Sequence, residues 1–465
     1  MLSISRNAML ISIPILLISV LFVGNFSLAS NAKVALEDSK LKVELVASGL
    51  KAPTSMAFLA KDDILILEKN GIVHRVFGNN ILKQPVLDIS TIVNDTRERG
   101  LLGISIPDPK LNNNRNDTNG DTTEIYLYFT REIPENANKF CGANGCENDQ
   151  RIVNSLYRYD VKDGKLVNPK LLINIPGGND DIGIEHIGGA ITTGSDGRIY
   201  ITSGDGYPCR SIEDCKNSLT NGTLNSKTAN SINGSNPSGL GGILVVPQDF
   251  DYVNDGNSSE GFPSNLYYAY GIRNSFGLDF DPVTGNLWDT ENGPYFGDEI
   301  NLVKKGFNSG WAKIQGIWPI TNYSLAVKDL PEGHLFPKIN SVTNPNTLYE
   351  FNNGTYDSPK FSWNNSVGVT AIKFYNSDKL GRNYYNDIFV GSYSKGFLYH
   401  FDLNKDRTDL LTGNLENNVA SRDQLKPFIF GRGFYGVSDV DVSPDGLLYI
   451  LSYTEGKLWR IMPAE

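Results

Sequence analysis

Residues 443–450 read Ser-Pro-Asp-Gly-Leu-Leu-Tyr-Ile, and residues 456–461 read Gly-Lys-Leu-Trp-Arg-Ile. An Asp-Gly turn, a short apolar strand, a second polar turn and another apolar strand together form one unit. The same pattern stands near the start of the chain, where residues 61–67 read Lys-Asp-Asp-Ile-Leu-Ile-Leu and residues 71–76 read Gly-Ile-Val-His-Arg-Val. Copies at both ends indicate a repeat that opens and closes one domain.

Looser copies of this unit fill the space between the two ends. They lie at residues 123–161, 195–246, 282–290 and 386–403. About six units in a ring would hide most of their strand edges. The sequence therefore predicts an all-β fold, a six-bladed β-propeller of four-stranded antiparallel blades. A β-sandwich or tandem small β domains are the alternatives, but no Pro/Ser-rich linker separates the units, so residues 31–465 are assigned to one domain.

The N-terminal segment has the pattern of a sorting signal. Arg6 precedes an apolar run from Met9 to Val23, and small residues follow around Ala29. A run of about 15 residues is short for a membrane-spanning helix, which needs roughly 20. We therefore expect residues 1–30 to be a cleaved signal peptide, with an uncleaved anchor as the alternative, and the protein to be secreted or extracytoplasmic, with a membrane contact only through that anchor.

The composition excludes one class of partner. The chain of 465 residues carries 42 Lys and Arg against 52 Asp and Glu, a net charge of −10. A surface of this sign repels phosphate backbones, so nucleic acid is not an expected partner.

The four cysteines fall into two local pairs, Cys141 with Cys146 and Cys209 with Cys215. In an exported protein, such spacing indicates two small disulfide loops. A zinc site is the competing interpretation, but no histidine lies beside either pair.

Polar residues interrupt strand-like sequence between residues 270 and 301. Arg273 and Asn274 stand between two glycines, which places a charged fork and an amide on tight backbone. This combination suits a planar, polyoxygenated ligand. A buried arginine that donates to turn carbonyls would give the same pattern, and the sequence alone leaves both interpretations open.

A possible cation site follows in the same stretch. Gly293 and Pro294 offer peptide carbonyls, and Asp298 and Glu299 add carboxylates. Calcium accepts such oxygen ligands, although acidic pairs are also common on ordinary surfaces.

The second concentration of polar residues surrounds His186, one of four histidines. It follows Glu185 and precedes two glycines, and Asp205 lies in the next turn. A histidine beside a carboxylate can remove a hydroxyl proton at neutral pH. A packed histidine bonded to strand backbone is the alternative. A third stretch, residues 98–104, places glycines on both sides of Leu101 and Leu102, which indicates close backbone approach where a first strand lines a central channel.

In this order, these motifs resemble the soluble quinoprotein glucose/sorbosone dehydrogenases, which oxidise aldose sugars with pyrroloquinoline quinone (PQQ). The resemblance runs from about residue 41 to residue 461. It implies a six-bladed propeller that holds PQQ over the central channel and passes electrons to an external acceptor. It also implies that His186 is the base, that Arg273 faces the quinone carbonyls, and that the carbonyls of Gly293 and Pro294 bind Ca²⁺. The remaining expected contacts are Glu98, Asn274, Lys395 and Arg432 with the quinone, Asp298 and Glu299 with the metal, and Glu185, Asp205 and Trp363 with the sugar.

One part of the family pattern is missing. Members of the family hold the quinone carboxylates with arginines just before an Asp-Val in the last blade, where this chain has Val437 and Ser438. Arg432, earlier in that loop, and Lys395, shifted by one place from the family lysine, are the expected replacements. A cofactor with several carboxylates needs such cations.

Two functions of different classes follow from these observations. The first is an exported, calcium-assisted, PQQ-dependent sugar dehydrogenase that forms lactones. The second is a non-catalytic propeller at the cell surface that binds a glycan or a protein, which the missing arginines favour. A calcium-dependent propeller hydrolase ranks third, because the inward carboxylates that it needs are not assembled in the sequence.

Overall fold

The computed structural model describes residues 33–108, 123–133, 152–177, 185–206, 226–251, 262–319 and 348–464. Residues from Val34 onward form one compact unit. Within the described ranges, no helix has the length and apolar character that crossing a membrane requires. Residues 1–30 and all four cysteines lie outside these ranges, so the signal segment and the two disulfides stay predictions.

Short strands dominate the chain. The first group is β1 (Ala35–Leu36), β2 (Leu41–Ser48), β3 (Pro53–Ala60), β4 (Asp63–Glu68), β5 (Ile72–Phe77), β6 (Asn80–Ile81), β7 (Leu87–Asp88), β8 (Leu101–Ser105), β9 (Glu124–Glu132), β10 (Ile152–Lys162) and β11 (Lys165–Pro176). The second group is β12 (Ile191–Thr193), β13 (Ile199–Ser203), β14 (Gly242–Val246), β15 (Tyr267–Tyr270), β16 (Ser275–Phe280), β17 (Leu287–Glu291), β18 (Asp298–Val303), β19 (Phe307–Asn308), β20 (Ile314–Gln315) and β21 (Trp318–Pro319). The third group is β22 (Thr355–Tyr356), β23 (Phe361–Trp363), β24 (Val369–Phe374), β25 (Ile388–Ser392), β26 (Phe397–Phe401), β27 (Val419–Ala420), β28 (Ile429–Arg432), β29 (Val437–Val442), β30 (Leu448–Ser452) and β31 (Lys457–Pro463). Five 3₁₀ helices are described as well, at Lys227–Ala229, Ser264–Leu266, Arg382–Tyr384, Glu416–Asn418 and Arg422–Phe428.

These strands form sheets that follow one another along the chain. Five sheets have four or five strands, another has six, and β20 with β21 forms a two-stranded ribbon. The first strands of the six larger sheets contact one another in the cyclic order β3, β8, β12, β16, β24, β29 and back to β3. This ring confirms the predicted all-β propeller.

The ring is closed by strands from opposite ends of the chain. β2 pairs antiparallel with β31, from Leu41 opposite Pro463 to Ser48 opposite Lys457. The last sheet therefore takes its outermost strand from the N-terminal region, which removes two open edges. The C-terminal copy of the repeat forms β30 and β31 of this sheet, whereas the N-terminal copy forms β4 and β5 of the first sheet.

The prediction of four strands in every blade is wrong for most of the sheets. Only two of the larger sheets in the described residues have four strands, because two-residue strands such as β1, β6 and β27 extend the outer edges of others. Outer strands carry unpaired N–H and C=O groups, so nearby loop segments pair with them.

Aromatic side chains fill the space between neighbouring sheets. Phe361 lies edge-on to Trp363 with ring centroids 4.7 Å apart, and it contacts Phe401 at 4.8 Å. All three side chains are almost fully buried. Such pairs gain from edge-to-face geometry in addition to burial.

At one point in the channel, the backbones of two neighbouring sheets lie so close together that only glycine fits. A Cβ on Gly103 in β8 would lie 2.3 Å from the carbonyl oxygen of Gly189. Two residues farther along β8, Ser105 Oγ lies 2.8 Å from Thr193 Oγ1 of the next sheet. The prediction that residues 98–104 lead into a first strand at the central channel is confirmed.

Candidate active site

A cavity of about 550 Å³ lies at one end of the inner strands. Its wall contains several glycines, among them Gly103, Gly189 and Gly277. Its charged and amide side chains are those of Lys69, Arg97, Glu98, Glu185, His186, Arg273, Asn274, Asn292 and Asp439. A planar ligand of moderate size would fit a cavity of this volume, and the polar groups would orient it.

A second cavity of about 820 Å³ occupies the other end of the channel. The two cavities share wall residues, including Ser55, Leu278 and Asp439. Lys373 in the second cavity lies 3.0 Å from Asp441 and 3.6 Å from Asp279. Because its cation already has these two carboxylate neighbours, this end of the channel offers no free positive charge.

The His186 side chain is 5% exposed, and its orientation is fixed by Asp205. The distance from His186 Nδ1 to Asp205 Oδ1 is 2.6 Å, and Trp311 Nε1 donates to Asp205 Oδ2 at 2.7 Å. A carboxylate that accepts at Nδ1 keeps the proton on that nitrogen and leaves Nε2 with a lone pair. In the described part of the chain, Nε2 has no hydrogen-bond partner. The geometry is that of a general base with a positioning carboxylate.

The backbone of His186 is also held. Its φ is +60°, a left-handed conformation that costs a non-glycine residue about 1 kcal/mol or more. Its N–H donates to Glu98 Oε2 at 2.7 Å, and its carbonyl accepts from Gly206 N at 3.2 Å. Asn274 Nδ2 donates to the same Glu98 oxygen at 3.2 Å. Glu98 thus joins the histidine and the Arg273–Asn274 turn at the cavity wall.

Arg273 has the features of both interpretations that the sequence left open, because it donates to a turn carbonyl and also lines the cavity. Its Nη1 donates to the carbonyl of Asn292 at 2.9 Å, and its guanidinium lies 5.5 Å from the ring centroid of Trp311. Its backbone N–H donates to Glu291 at 2.7 Å, while Nε is buried without a partner. A lining guanidinium with an unpaired N–H can donate to an oxygen atom of a ligand.

The carboxylates of the expected cation site have other partners. Asp298 Oδ1 accepts from Gly293 N at 2.9 Å and from Ser366 Oγ at 2.6 Å. Asp298 Oδ2 accepts from the backbone N–H groups of residues 367 and 368, both at 2.8 Å. The predicted metal contact of Asp298 is therefore wrong, because these donors occupy its lone pairs. Asp298 instead ties the turn at Gly293 to the loop at Gly368, and both glycines line the cavity.

Glu299 is a buried structural carboxylate as well. It accepts from Asn301 Nδ2 and Ser309 Oγ, each at 3.0 Å, and from Gln315 Nε2, also at 3.0 Å. Burial raises the pKa of Glu299 to about 8. The prediction that it binds a metal is wrong for the same reason as for Asp298.

Glu299 belongs to a set of buried acids behind the cavity. Burial raises the pKa of Asp289 to about 7, and neither of its buried carboxylate oxygens has a hydrogen-bond partner among the described residues. Burial and the neighbouring charges of Glu299 and Asp289 raise the pKa of Glu291 well above its usual value. Acids in such surroundings are held at least partly protonated at neutral pH.

The carbonyls of Gly293 and Pro294 differ from these carboxylates. Gly293 is buried and lines the cavity, and in the described residues neither carbonyl accepts a hydrogen bond. Two adjacent free carbonyls are suitable ligands for a hard cation.

The three residues expected to contact the sugar lie in different places. Glu185 lines the cavity, and Arg97 Nη1 lies 2.8 Å from its Oε1. Asp205 is buried behind His186 and positions it, so the expectation of a direct contact is wrong. Trp363 is fully buried in β23, the fourth strand outward from the channel, and it packs on Phe361, so its expected contact is wrong too.

The two cations expected from the later sheets do not line the cavity. Arg432 ends β28 at the outer side of its sheet, where it pairs with Glu37. Lys395 is exposed in the turn between β25 and β26. Arg432 was inferred from its place earlier in the same loop and Lys395 from the position of the family lysine, but both side chains lie outside the cavity wall.

The cavity contains two cations that the sequence analysis missed, Lys69 and Arg97. Lys69 directly follows β4, all of whose residues are buried. A lysine immediately after a fully buried strand was the available signal, because surface lysines seldom adjoin such a strand end. Tyr393 and Tyr453 also line the cavity, with ring centroids 5.9 Å apart.

Comparison with known proteins agrees with this geometry. Residues 50–460 match the family described as Glucose / Sorbosone dehydrogenase. The chain is 25% identical over 468 residues to quinoprotein glucose dehydrogenase B of Acinetobacter calcoaceticus, a match covering 92% of this chain and 88% of that protein.

Solved structures show the same fold at lower identity. The apo-form of the soluble aldose sugar dehydrogenase from Escherichia coli has a TM-score of 0.59 and 21% identity, and the match covers 91% of this chain and 100% of that one. The PQQ-bound form of aldose sugar dehydrogenase from Streptomyces coelicolor has a TM-score of 0.55 and 18% identity, with coverage of 92% and 99%.

Proposed function

The chain belongs to the glucose/sorbosone dehydrogenase family, and from this premise we propose that it is a PQQ-dependent oxidoreductase that converts an aldose to a lactone at C1. The observation that carries the proposal is the His186–Asp205 pair beside Arg273 in a glycine-walled cavity. The relative from A. calcoaceticus is named a quinoprotein glucose dehydrogenase, which supports both the cofactor and the substrate class.

The cavity fits a planar, anionic quinone by three features. A Cβ on Gly277 would lie 2.4 Å from the carbonyl of Thr370, so the wall there is flat backbone that no larger side chain could form. The buried Nε of Arg273 has no hydrogen-bond partner among the described residues. Lys69 and Arg97 add positive charge at the same wall.

The protein's part in the reaction centres on His186. When bound, the quinone supplies the acceptor for the hydride that leaves C1 of the sugar. His186 Nε2 removes the proton of the C1 hydroxyl, because Asp205 holds the other ring proton on Nδ1. The imidazolium formed in this way is stabilised by the same carboxylate. Arg273 stabilises negative charge that develops on an oxygen atom opposite its guanidinium.

Calcium is proposed on narrower grounds. The free carbonyls of Gly293 and Pro294 would hold Ca²⁺ at the edge of the cavity, where the cation would polarise a ligand oxygen. Asp298 contributes indirectly, because it accepts from Gly293 N and so fixes the direction of this turn.

Three further assignments complete the proposal. We assign each of the six larger sheets to one blade, with the six-stranded sheet as one of them. Residues 1–30 would direct export to a secreted or extracytoplasmic location, and electrons would leave through an external acceptor.

The test uses two histidines of the same protein. Purified protein is reconstituted with PQQ and Ca²⁺, and dye reduction is measured across aldoses. His186→Ala should lower the turnover rate by about 10² to 10⁴ while PQQ affinity changes little. The matched control is His400→Ala, because His400 pairs with Asp387 at 3.0 Å and does not line the cavity. Wild-type turnover in His186→Ala would remove this residue from the mechanism.

The rival function, a non-catalytic propeller that binds a glycan or a protein, makes a different prediction. It draws support from Lys395 and Arg432, which do not reach the cavity. Under that hypothesis, wild-type protein would neither bind PQQ nor reduce dye with any aldose.

A further inference from the structure

The strongest unexplained feature of the cavity is the Lys69 side chain. Its Nζ donates to the carbonyl of Asp95 at 2.8 Å and to the carbonyl of Arg97. Among the described residues, no carboxylate lies within ion-pair distance of Nζ. Two peptide carbonyls orient an ammonium group but do not neutralise it.

The position of this lysine is fixed by packing. A Cβ on Gly100 would lie 2.5 Å from Lys69 Cγ, so the lysine stem lies directly on the backbone of residue 100. The backbone N–H of Lys69 donates to the carbonyl of Ala52 at 3.1 Å, and its carbonyl accepts from Leu101 N at 2.9 Å. A stem held in this way loses little conformational entropy when Nζ binds a ligand.

The other charged groups at the cavity wall leave Lys69 as a free positive charge. Arg97 is paired with Glu185 at 2.8 Å. Glu98 accepts from His186 N and Asn274 Nδ2. These bonds reduce the ability of either acid to pair with the lysine.

The charges of two acids oppose the effect of burial on the pKa of Lys69. Burial lowers the pKa of Lys69, whereas the charges of Asp95 and Glu98 raise it. The remaining acid of the wall, Asp439, accepts from Ser55 Oγ at 2.9 Å, and burial raises its pKa to about 7. Burial removes water from around the ammonium group of Lys69. An anion bound beside Nζ would therefore stabilise the charged form of this lysine.

Lys69 lies where the first sheet meets the second, because its carbonyl accepts from Leu101 N at the start of β8, and the last sheet contacts the first through β3. Ser438 Oγ of β29 donates to the carbonyl of Pro53 in β3 at 2.8 Å, and both Ser438 and Thr54 line the cavity. Tyr453, which directly follows β30 of the last sheet, lines the cavity as well. Lys69 therefore shares one cavity with the serine and the tyrosine that the last sheet presents in place of arginine.

We propose that Lys69 is the cation that pairs with a carboxylate of the bound quinone, in place of the arginines missing from the last sheet. This inference rests on the proposed function, because it takes PQQ as the ligand. Tyr393, Tyr453 and Arg273 line the same cavity as Lys69.

The test is a calorimetric titration of each apo-protein with PQQ in buffer containing Ca²⁺. Lys69→Gln should weaken PQQ binding about ten- to hundredfold, since it removes one charge-assisted contact. Lys69→Arg should retain most of the affinity because it keeps the charge. The matched controls are Lys395→Gln and Arg432→Gln, which remove the same charge outside the cavity and should change the affinity less than twofold. Thermal melting of every variant checks that the fold is intact.

The outcomes separate this inference from the proposed function. Saturable wild-type binding that Lys69→Gln leaves unchanged would overturn the role of Lys69 and leave the dehydrogenase standing. Loss of binding in Lys395→Gln or Arg432→Gln instead would also overturn it. If Lys69→Gln does not fold, unchanged affinity between pH 7 and pH 10 in wild type would be the overturning result, because a lysine that pairs with the ligand must be protonated. A wild type that binds no PQQ would overturn both proposals.

Discussion

The exchange Asp205→Asn tests how the protein sets the protonation of its base. Asp205 accepts from His186 Nδ1 at 2.6 Å through one oxygen and from Trp311 Nε1 at 2.7 Å through the other. It is 4% exposed, so water cannot replace either partner. Asparagine has nearly the same shape but offers one oxygen and one NH₂ group.

The hydrogen-bond partners decide how that asparagine is oriented. If its oxygen faced His186, its NH₂ would meet the indole N–H, and two buried donors would face each other at a cost of about 1–3 kcal/mol each. If its oxygen faces Trp311, its NH₂ donates to His186 Nδ1 and all groups are satisfied. This second orientation places the ring proton on Nε2. A base protonated at the working nitrogen cannot accept from the sugar, so the turnover rate should fall about 10² to 10⁴ fold.

The assay is dye reduction at saturating sugar by PQQ-loaded protein, together with a PQQ titration. We expect a fall in kcat with nearly unchanged PQQ affinity. The double variant Asp205→Asn with Trp311→Phe removes the indole donor that selects the harmful orientation, so it should recover about tenfold of the lost rate relative to the single variant. Undiminished kcat in Asp205→Asn would refute the argument. A loss that Trp311→Phe deepens would show that Asp205 acts through packing and not through the tautomer.

Two further predictions concern the buried acids behind the cavity. Asp298→Ala leaves two buried and two partly buried donors without an acceptor, so it should lower the free energy of unfolding by about 2–4 kcal/mol, and denaturant titration should show that excess Ca²⁺ does not restore the loss. A loss fully reversed by Ca²⁺ would instead make Asp298 a metal ligand. Burial raises the pKa of Asp289 from 3.8 to about 7, so the folded protein loses stability from this group as the pH rises from about 4 to about 7. Asp289→Asn removes that penalty, and its stability relative to wild type should therefore increase between pH 5 and pH 8; a pH-independent difference would contradict the shift.

The repeat made the architecture predictable because it has a purely local cause. An Asp-Gly turn followed by alternating apolar residues favours a strand pair wherever it occurs, and rings of such pairs hide their edges. The closure of β2 on β31 was not contained in the repeat, because β2 lies before the N-terminal copy at residues 61–76. The short outer strands could not be predicted, because two-residue elements such as β27 form only when a distant edge such as β23 lies beside them.

The site was predictable where a residue's chemistry and its backbone agree. His186 needs the left-handed turn that the following glycines continue, and Arg273 stands between glycines for a similar reason. The prediction that Asp298 binds a metal failed because a sequence does not show whether the oxygen atoms of a carboxylate already accept hydrogen bonds. Only the fold shows that the N–H groups of residues 367 and 368, in the loop between β23 and β24, reach Asp298.

Lys395 and Arg432 were wrongly assigned to the cavity for a similar reason, because a sequence does not show which segments of a closed ring are neighbours. From the sequence, the replacement of an arginine at residue 437 or 438 was assigned to Arg432, earlier in the same loop, and to Lys395, near the family lysine. In a ring, however, the last sheet also adjoins the first, as the bond between Ser438 and Pro53 shows. A charge lost from the last sheet can therefore be supplied by a segment near the opposite end of the sequence, and Lys69 lines the same cavity as Ser438. Binding of a ligand carboxylate requires a positive charge at the right position in the cavity. The strand or loop that carries this charge does not matter, because the interaction depends only on the sign of the charge and its distance.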